Sequence, residues 1–232
     1  MALYDFGVLL VNIKVKRYNW FMLKKVTPTV KQVFDAFIPE YTRIPLEVFT
    51  KPFEVLVSTM LSARTRDEVT HKVCEEKLFK KAKTLEQMAK LSEAELEKLV
   101  YPVSFYRNKS KALKKLLQVI VNDYDGKVPQ TREELTSLPG VGNKTASLVL
   151  SRAFGVPAIA VDTHVNRISN MLGWVNETDP DKVSVLLQEI IPKNQWIDVN
   201  KYFVSVGQKY RSKKQMKEFL ESKGLLVMSS RT

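Results

Sequence analysis

The stretch SLPGVGNKTASLVL, residues 137–150, sets glycines at 140 and 142 around Val141, then a lysine, then an apolar helical run. The glycines permit a tight turn between residues 135–138 and a helix starting near Asn143. A residue without Cβ turns freely and lets a ligand approach the backbone closely. Amides of the turn and of the first helical turn then point outward together, which suits an anion. Gly140, Val141, Gly142, Asn143 and Thr145 are the candidate contacts to one phosphate. The spacing is not that of a Walker loop, and no strand pattern precedes it. Lys144 has two readings here, a further phosphate contact or a nucleophile.

From about residue 30 onward the chain reads as helix. Thr65 with Glu68, Ser92 with Glu95 and Thr131 with Glu134 each match the capping box, in which a hydroxyl and a carboxyl satisfy free amides of a first helical turn. Apolar residues follow at helical spacing: Val55, Leu56, Met60 and Leu61 in one run, Ala112, Leu116, Val119 and Ile120 in another. Gly126, Gly155 with Pro157, Gly173 and Pro192 supply stops. The pattern predicts an all-α fold of about ten or more helices, with residues 137–150 forming a helix-hairpin-helix. Residues 1–25 are an N-terminal extension of unassigned role. Val11, Ile13 and Val15 alternate there as in a strand, and an internal start at Met22 is equally open.

The 232 residues are 44% hydrophobic, enough for one large domain or two small ones. Lysine and arginine total 37 against 25 acidic residues, a net charge of +12 that suits a polyanionic partner, nucleic acid first. The one cysteine, Cys74, excludes an internal disulfide and any site needing several thiolates, and its amphipathic surroundings predict a core thiol. No apolar run approaches the ~20 residues that cross a membrane. The N-terminus lacks a basic start and a small-residue cleavage site, so no signal peptide is expected.

In VPAIAVDTHVNRI, residues 156–168, Val-Pro ends one helix, an apolar segment follows, and Asp162 sits where the next helix needs an N-cap. Asp162 alone reads as a cap. Together, LPGVGNKTASLVL and AIAVDTHVNRI closely resemble the endonuclease III branch of the helix-hairpin-helix DNA glycosylases. PFEVLVSTMLSARTRDEVTHKV and SFYRNKSKAL fit the same family in the same order, so the resemblance covers about residues 31–211. It implies that Lys144 is the nucleophile and that Asp162, 18 residues on, is the essential carboxylate. A neutral amine would attack C1′ of a damaged nucleotide, and the resulting Schiff base would let the 3′ phosphate leave by β-elimination. An ordinary lysine, pKa about 10.4, must lose ~3 units, or about 4 kcal/mol, to be neutral near pH 7. A helix N-terminus supplies only ~0.3–1 kcal/mol of that, so desolvation in a cleft is expected to supply the rest.

The resemblance further implies double-stranded DNA with a damaged base or an abasic site as partner, and a flipped-out nucleotide whose gap is filled from two loops. Arg64 stands in the first loop, where relatives commonly carry glutamine. Phe105 stands in the second as an apolar wedge or, alternatively, a core aromatic. Arg107 and Lys109, in a cluster with Lys111, Lys114 and Lys115, are candidate phosphate contacts, as is the run Lys209, Arg211, Lys213, Lys214 and Lys217. Typical relatives hold a [4Fe–4S] cluster on four C-terminal cysteines. The corresponding VGQKYRSKKQMKEFLESKGLLVMSSRT has none, so no cofactor is expected, and Met216, Phe219 and Leu220 are expected to close that region as a helix. Two helical domains are implied, residues 45–156 with the hairpin, and residues 26–44 plus 157–232, with DNA between them.

The implied activity is that of a bifunctional DNA glycosylase and AP lyase of base excision repair acting on oxidised pyrimidines, as a cytoplasmic, nucleoid-associated or nuclear monomer away from membranes. A mismatch thymine or uracil glycosylase and a non-enzymatic DNA-binding module are the alternatives. Asp162 separates the last, because pure binding needs no carboxylate facing DNA.

Overall fold

The computed structural model describes residues 27–226; the N-terminal extension lies outside them. Every regular element among the described residues is helical. In chain order these are α1 (Val30–Phe37), α2 (Pro52–Ser62), α3 (Asp67–Val73), α4 (Phe79–Lys81), α5 (Leu85–Lys90), α6 (Glu93–Val100) and α7 (Tyr106–Asp123). They continue with α8 (Arg132–Ser137), α9 (Asn143–Phe154), α10 (Thr163–Met171), α11 (Pro180–Ile190), α12 (Trp196–Lys209) and α13 (Lys213–Ser222). A π-helical turn, Cys74–Leu78, joins α3 to α4.

Local chemistry explains most of these boundaries. Ser92 and Glu95 form the expected capping box of α6, and the Thr131 hydroxyl accepts from the Glu134 amide to cap α8. Gly126, Gly155 and Gly173 stand in the left-handed region after α7, α9 and α10. The expectation for Thr65 is overturned. Helix α3 starts one residue later than that box requires, at Asp67, with Arg66 as an N-cap that makes no side-chain bond. The Thr65 hydroxyl is taken up elsewhere, by the Ser104 amide at 3.2 Å and the Lys109 ammonium at 3.0 Å.

Two clusters of buried side chains make the core. One draws on α2, α5, α6, α7 and α9, with Leu56, Leu61, Leu113, Leu116, Leu117 and Val149 at its centre. Cys74 belongs to it, and burial pushes its thiol up to about 12, as expected of a core cysteine. The other unites α1 with α10, α12 and α13. Phe37 meets Phe203 edge-on at 5.0 Å, and Met216, Phe219 and Leu220 turn inward from α13. The chain passes from the first cluster to the second between Ala158 and Ile159.

Two glycines set the helix spacings that matter downstream. At Gly140, φ is +79°, and a Cβ there would stand 2.7 Å from Met60 Cε, so the hairpin is seated directly on α2. At Gly207, a Cβ would stand 2.3 Å from Nδ1 of His164. Only a glycine lets α12 pack this closely against the first turn of α10, and that turn carries Asp162.

Candidate active site

The hairpin runs from α8 through Leu138, whose carbonyl accepts from the Val141 amide at 3.1 Å, into Gly142, the N-cap of α9. Val141 is buried and anchors the turn. Gly142 has an extended backbone (φ −102°, ψ 177°) and would find nothing within 4 Å of an added Cβ. Neither a left-handed backbone nor packing within the protein demands a glycine there, and its outer side is open. Asn143 differs from expectation in its side chain, whose amide donates to Asp181 at 2.8 Å and ties α9 to the start of α11. Its backbone amide and those of Lys144 and Thr145 belong to the first turn of α9, where no carbonyl four residues back exists to receive them.

Lys144 is the second residue of α9 and is exposed. Asp162 caps α10: its Oδ1 accepts from the amides of His164 at 2.9 Å and Val165 at 2.8 Å. It is half-buried, and both cap bonds fall on one oxygen. Capping and a carboxylate facing the cleft are therefore compatible in one residue. Lys144 and Asp162 open onto the same cleft of about 1450 Å³, together with Arg64, Asp67, Gln208 and Arg211. The N-cap and first residue of α3, α9, α10 and α11 all line it. Four helix starts, each with free backbone amides, thus face one space, where Arg64, Arg66, Lys144, Arg167 and Arg211 are matched by Asp67, Glu68, Asp162, Asp179 and Asp181.

The expected source of lysine desolvation is corrected by this geometry. Lys144 is exposed, so the cleft wall does not supply the burial expected around its amine.

Asp67 is a cleft residue that the sequence reading overlooked, because it stood inside the apparent capping box at Thr65. Burial pushes its carboxyl above the usual range, opposed by the charges of Lys144 and Arg152, and Gln208 Nε2 donates to it at 3.3 Å. Beside it, burial pushes the His164 imidazole below its ordinary value and so favours the neutral ring, partly offset by the carboxylate of Asp162.

Arg64 and Phe105 are both exposed and both in the left-handed backbone region, with φ of 55° and 57°. The Arg64 guanidinium carbon lies 5.9 Å from the Phe105 ring centroid. At 59% exposure Phe105 is not a core residue. Arg107 is exposed too, with Nε 3.4 Å from Glu97. Lys109 is corrected. Expected at a phosphate, it instead turns inward, donating from Nζ to the carbonyls of Leu61 (2.7 Å) and Ala63 (2.6 Å) and to the Thr65 hydroxyl. Lys114 does the same with Ala89 and Leu91, and Lys209 pairs with Glu40. Among the described residues no group of three or more His, Cys, Asp or Glu stands where it could hold a metal, and no helix is long and apolar enough to cross a membrane.

A family profile for the HhH-GPD superfamily of base excision DNA repair proteins matches residues 57–193. Endonuclease III of Thermotoga maritima is 43% identical over 160 residues, covering 69% of this chain and 75% of that protein. A trapped endonuclease III–DNA covalent intermediate superposes with a TM-score of 0.72 at 36% identity, over 80% of this chain and 89% of that one. A thermostable thymine-DNA glycosylase, 24% identical with a TM-score of 0.73 over 84% of this chain and 91% of that one, shares the fold. Hairpin, cleft and relatives agree, and the chain belongs to the HhH-GPD superfamily of base excision DNA repair proteins, in its endonuclease III branch.

Proposed function

We propose that the chain is a DNA glycosylase with AP lyase activity that removes oxidised pyrimidines from duplex DNA, with Lys144 as nucleophile and Asp162 as the carboxylate that serves it. The observation that carries this reading is the opening of Lys144 and Asp162, each at a helix start, onto one cleft. Unprotonated Nζ of Lys144 attacks C1′; the C1′–N bond breaks, and its electron pair leaves with the base, which is then protonated. Loss of the ring oxygen from C1′ gives an iminium joined to Nζ. That iminium acidifies the 2′ carbon; a proton leaves it, and the C3′–O bond breaks as the 3′ phosphate departs. Water then hydrolyses the imine and frees the lysine. A fixed carboxylate at Asp162 lowers the energy of positive charge developing on the sugar. Gly142, open on its outer side, leaves room for a phosphate against the amides of α9.

The two core clusters support a division close to the expected one, residues 45–156 and residues 26–44 plus 157–232, with the change falling after Ala158 and DNA lying across the cleft between them. Relatives of this branch commonly carry an iron–sulfur cluster, and the residues here do not fit one. The single cysteine is fully buried in the other core, and α13 fills the corresponding region with Met216, Phe219 and Leu220. An iron-free, colourless protein is the expected preparation. Its place of work is wherever the chromosomal DNA lies.

Borohydride trapping tests the reading on three labelled duplexes, carrying thymine glycol, uracil opposite guanine, or a preformed abasic site. Covalent adducts on the first and third, absent with Lys144→Ala, are expected. Adduct chiefly with uracil opposite guanine would transfer the reading to a mismatch glycosylase. Tight binding with no adduct would return Lys144 to a phosphate contact.

A further inference from the structure

Arg64 and Phe105 come from loops 41 residues apart, yet they stand side by side in the same disfavoured backbone conformation. A side-chain-bearing residue holds a left-handed backbone only where its surroundings over-determine it. Lys109 does this for the Arg64 loop directly and for the Phe105 loop through Thr65. Its ammonium gathers the carbonyls of Leu61 and Ala63 at the end of α2, and the hydroxyl of Thr65. Ala63 and Thr65 bracket Arg64. The same Thr65 hydroxyl accepts from the amide of Ser104, immediately before Phe105. The carbonyl of Phe105 accepts the first main-chain hydrogen bond of α7, from the amide of residue 109 at 3.0 Å, as a helix N-cap does. The Lys109 ammonium thus reaches both loops through one hydroxyl, that of Thr65, which belongs to the first loop and accepts from the second. A cation on the last carbonyls of α2 also opposes the negative end of that helix. Burial pushes the Lys109 ammonium down to about 8, as for a group withdrawn from water.

We propose that Lys109 is a positioning residue that fastens the loops of Arg64 and Phe105 into a single two-pronged element, which fills the gap left in the duplex by an extruded nucleotide. This rests on the glycosylase reading above. The role differs from a phosphate contact, because all three hydrogen-bonding partners of the ammonium are within the protein. It also accounts for a half-buried lysine in a chain with abundant surface cations.

The test compares wild type with Lys109→Met and Thr65→Val, which removes the hydroxyl shared by the two loops, and with the double variant. Insertion is read without chemistry, from 2-aminopurine beside a stable abasic-site analogue in duplex DNA. Excision is read in single turnover on thymine glycol in a duplex and in the same strand alone. Each variant is expected to lose the fluorescence step and to slow duplex excision roughly tenfold to a hundredfold, the worth of hydrogen bonds to a charged group, with a much smaller change on the single strand. The double variant should be no worse than the poorer single one, because both break one unit. The salt dependence of binding should stay unchanged in Lys109→Met. A slope reduced by about one ion would make Lys109 a phosphate contact and overturn the proposal. So would equal slowing on duplex and single strand, additive effects, or an unchanged fluorescence step in folded variants. Should Lys109→Met fail to fold, Thr65→Val carries the same comparisons. A wild type that inserts but does not excise would sink the substrate reading alone.

Discussion

Gly140 and Gly142 are two residues apart in one hairpin, and alanine at each should separate folding from DNA binding. At Gly140 the left-handed backbone costs an alanine about 1–2 kcal/mol. The new methyl also stands 2.7 Å from Met60 Cε and 3.3 Å from Ala112 Cβ. The methionine tip can swing away, so overpacking adds only about 1 kcal/mol, at the low end for an inserted methylene. Gly140→Ala should therefore destabilise by about 2–3 kcal/mol, which in a chain of this size lowers Tm by roughly 5–10 °C. Gly142→Ala meets no neighbour and needs no special φ. Alanine is a poorer N-cap, but it also narrows the unfolded ensemble, and the two effects offset to within about 0.5 kcal/mol. Its methyl instead enters the space assigned to a phosphate. Affinity for a duplex with an abasic-site analogue should fall about tenfold or more, 1.4 kcal/mol per decade. Thermal unfolding and fluorescence anisotropy on both variants make the comparison. Gly142→Ala binding like wild type, or unfolding as early as Gly140→Ala, would refute the assignment of that space.

Asp162→Asn keeps an oxygen that can cap α10, and asparagine caps as well as aspartate. Melting and DNA affinity should stay near wild type while single-turnover excision falls by orders of magnitude; retained excision would make Asp162 a cap alone. Asp67→Asn removes a half-buried carboxylate whose pKa is raised by desolvation. The wild-type protein binds more protons folded than unfolded there, so it loses stability as pH rises through the window above the ordinary carboxylate value. The variant should therefore melt higher at neutral pH, with the advantage vanishing in acid; a constant difference across pH 3–7 would contradict the assigned cause. Gly207→Ala drives a Cβ to within 2.3–2.7 Å of three His164 atoms. It should destabilise by about 1–3 kcal/mol and reduce excision with it, since α10 carries Asp162. Thermal unfolding checks the first effect and single turnover the second.

Features held by short-range chemistry were legible in the residues alone. Ser92 and Thr131 cap where their spacing says, and Met216, Phe219 and Leu220 turn inward as their helical spacing requires. Asp162 was readable as a cap because the bonds involved span three residues. Thr65 was not, because its hydroxyl answers to Lys109 and Ser104, 44 and 39 residues away, and no local pattern records such a competitor. The same long-range bonds turned Lys109 from an apparent surface cation into an internal one. Asp67 was hidden by the motif misassigned at Thr65, and its raised carboxyl depends on helices that meet only in the fold. Charge along a sequence tells that a lysine is present and not which carbonyl it will find.

The second core cluster has a consequence for how the chain is made. Helix α1 leaves the ribosome early, but Phe37 packs on Phe203, synthesised 166 residues later. At about 5–20 residues per second, roughly 10–30 s pass before that partner exists. The first cluster can close in the meantime, since nothing in it lies beyond Ala158. For that interval Phe37 lacks its Phe203 partner and the second cluster is incomplete, and this short amphipathic segment becomes a place where a nascent-chain chaperone would be expected to bind.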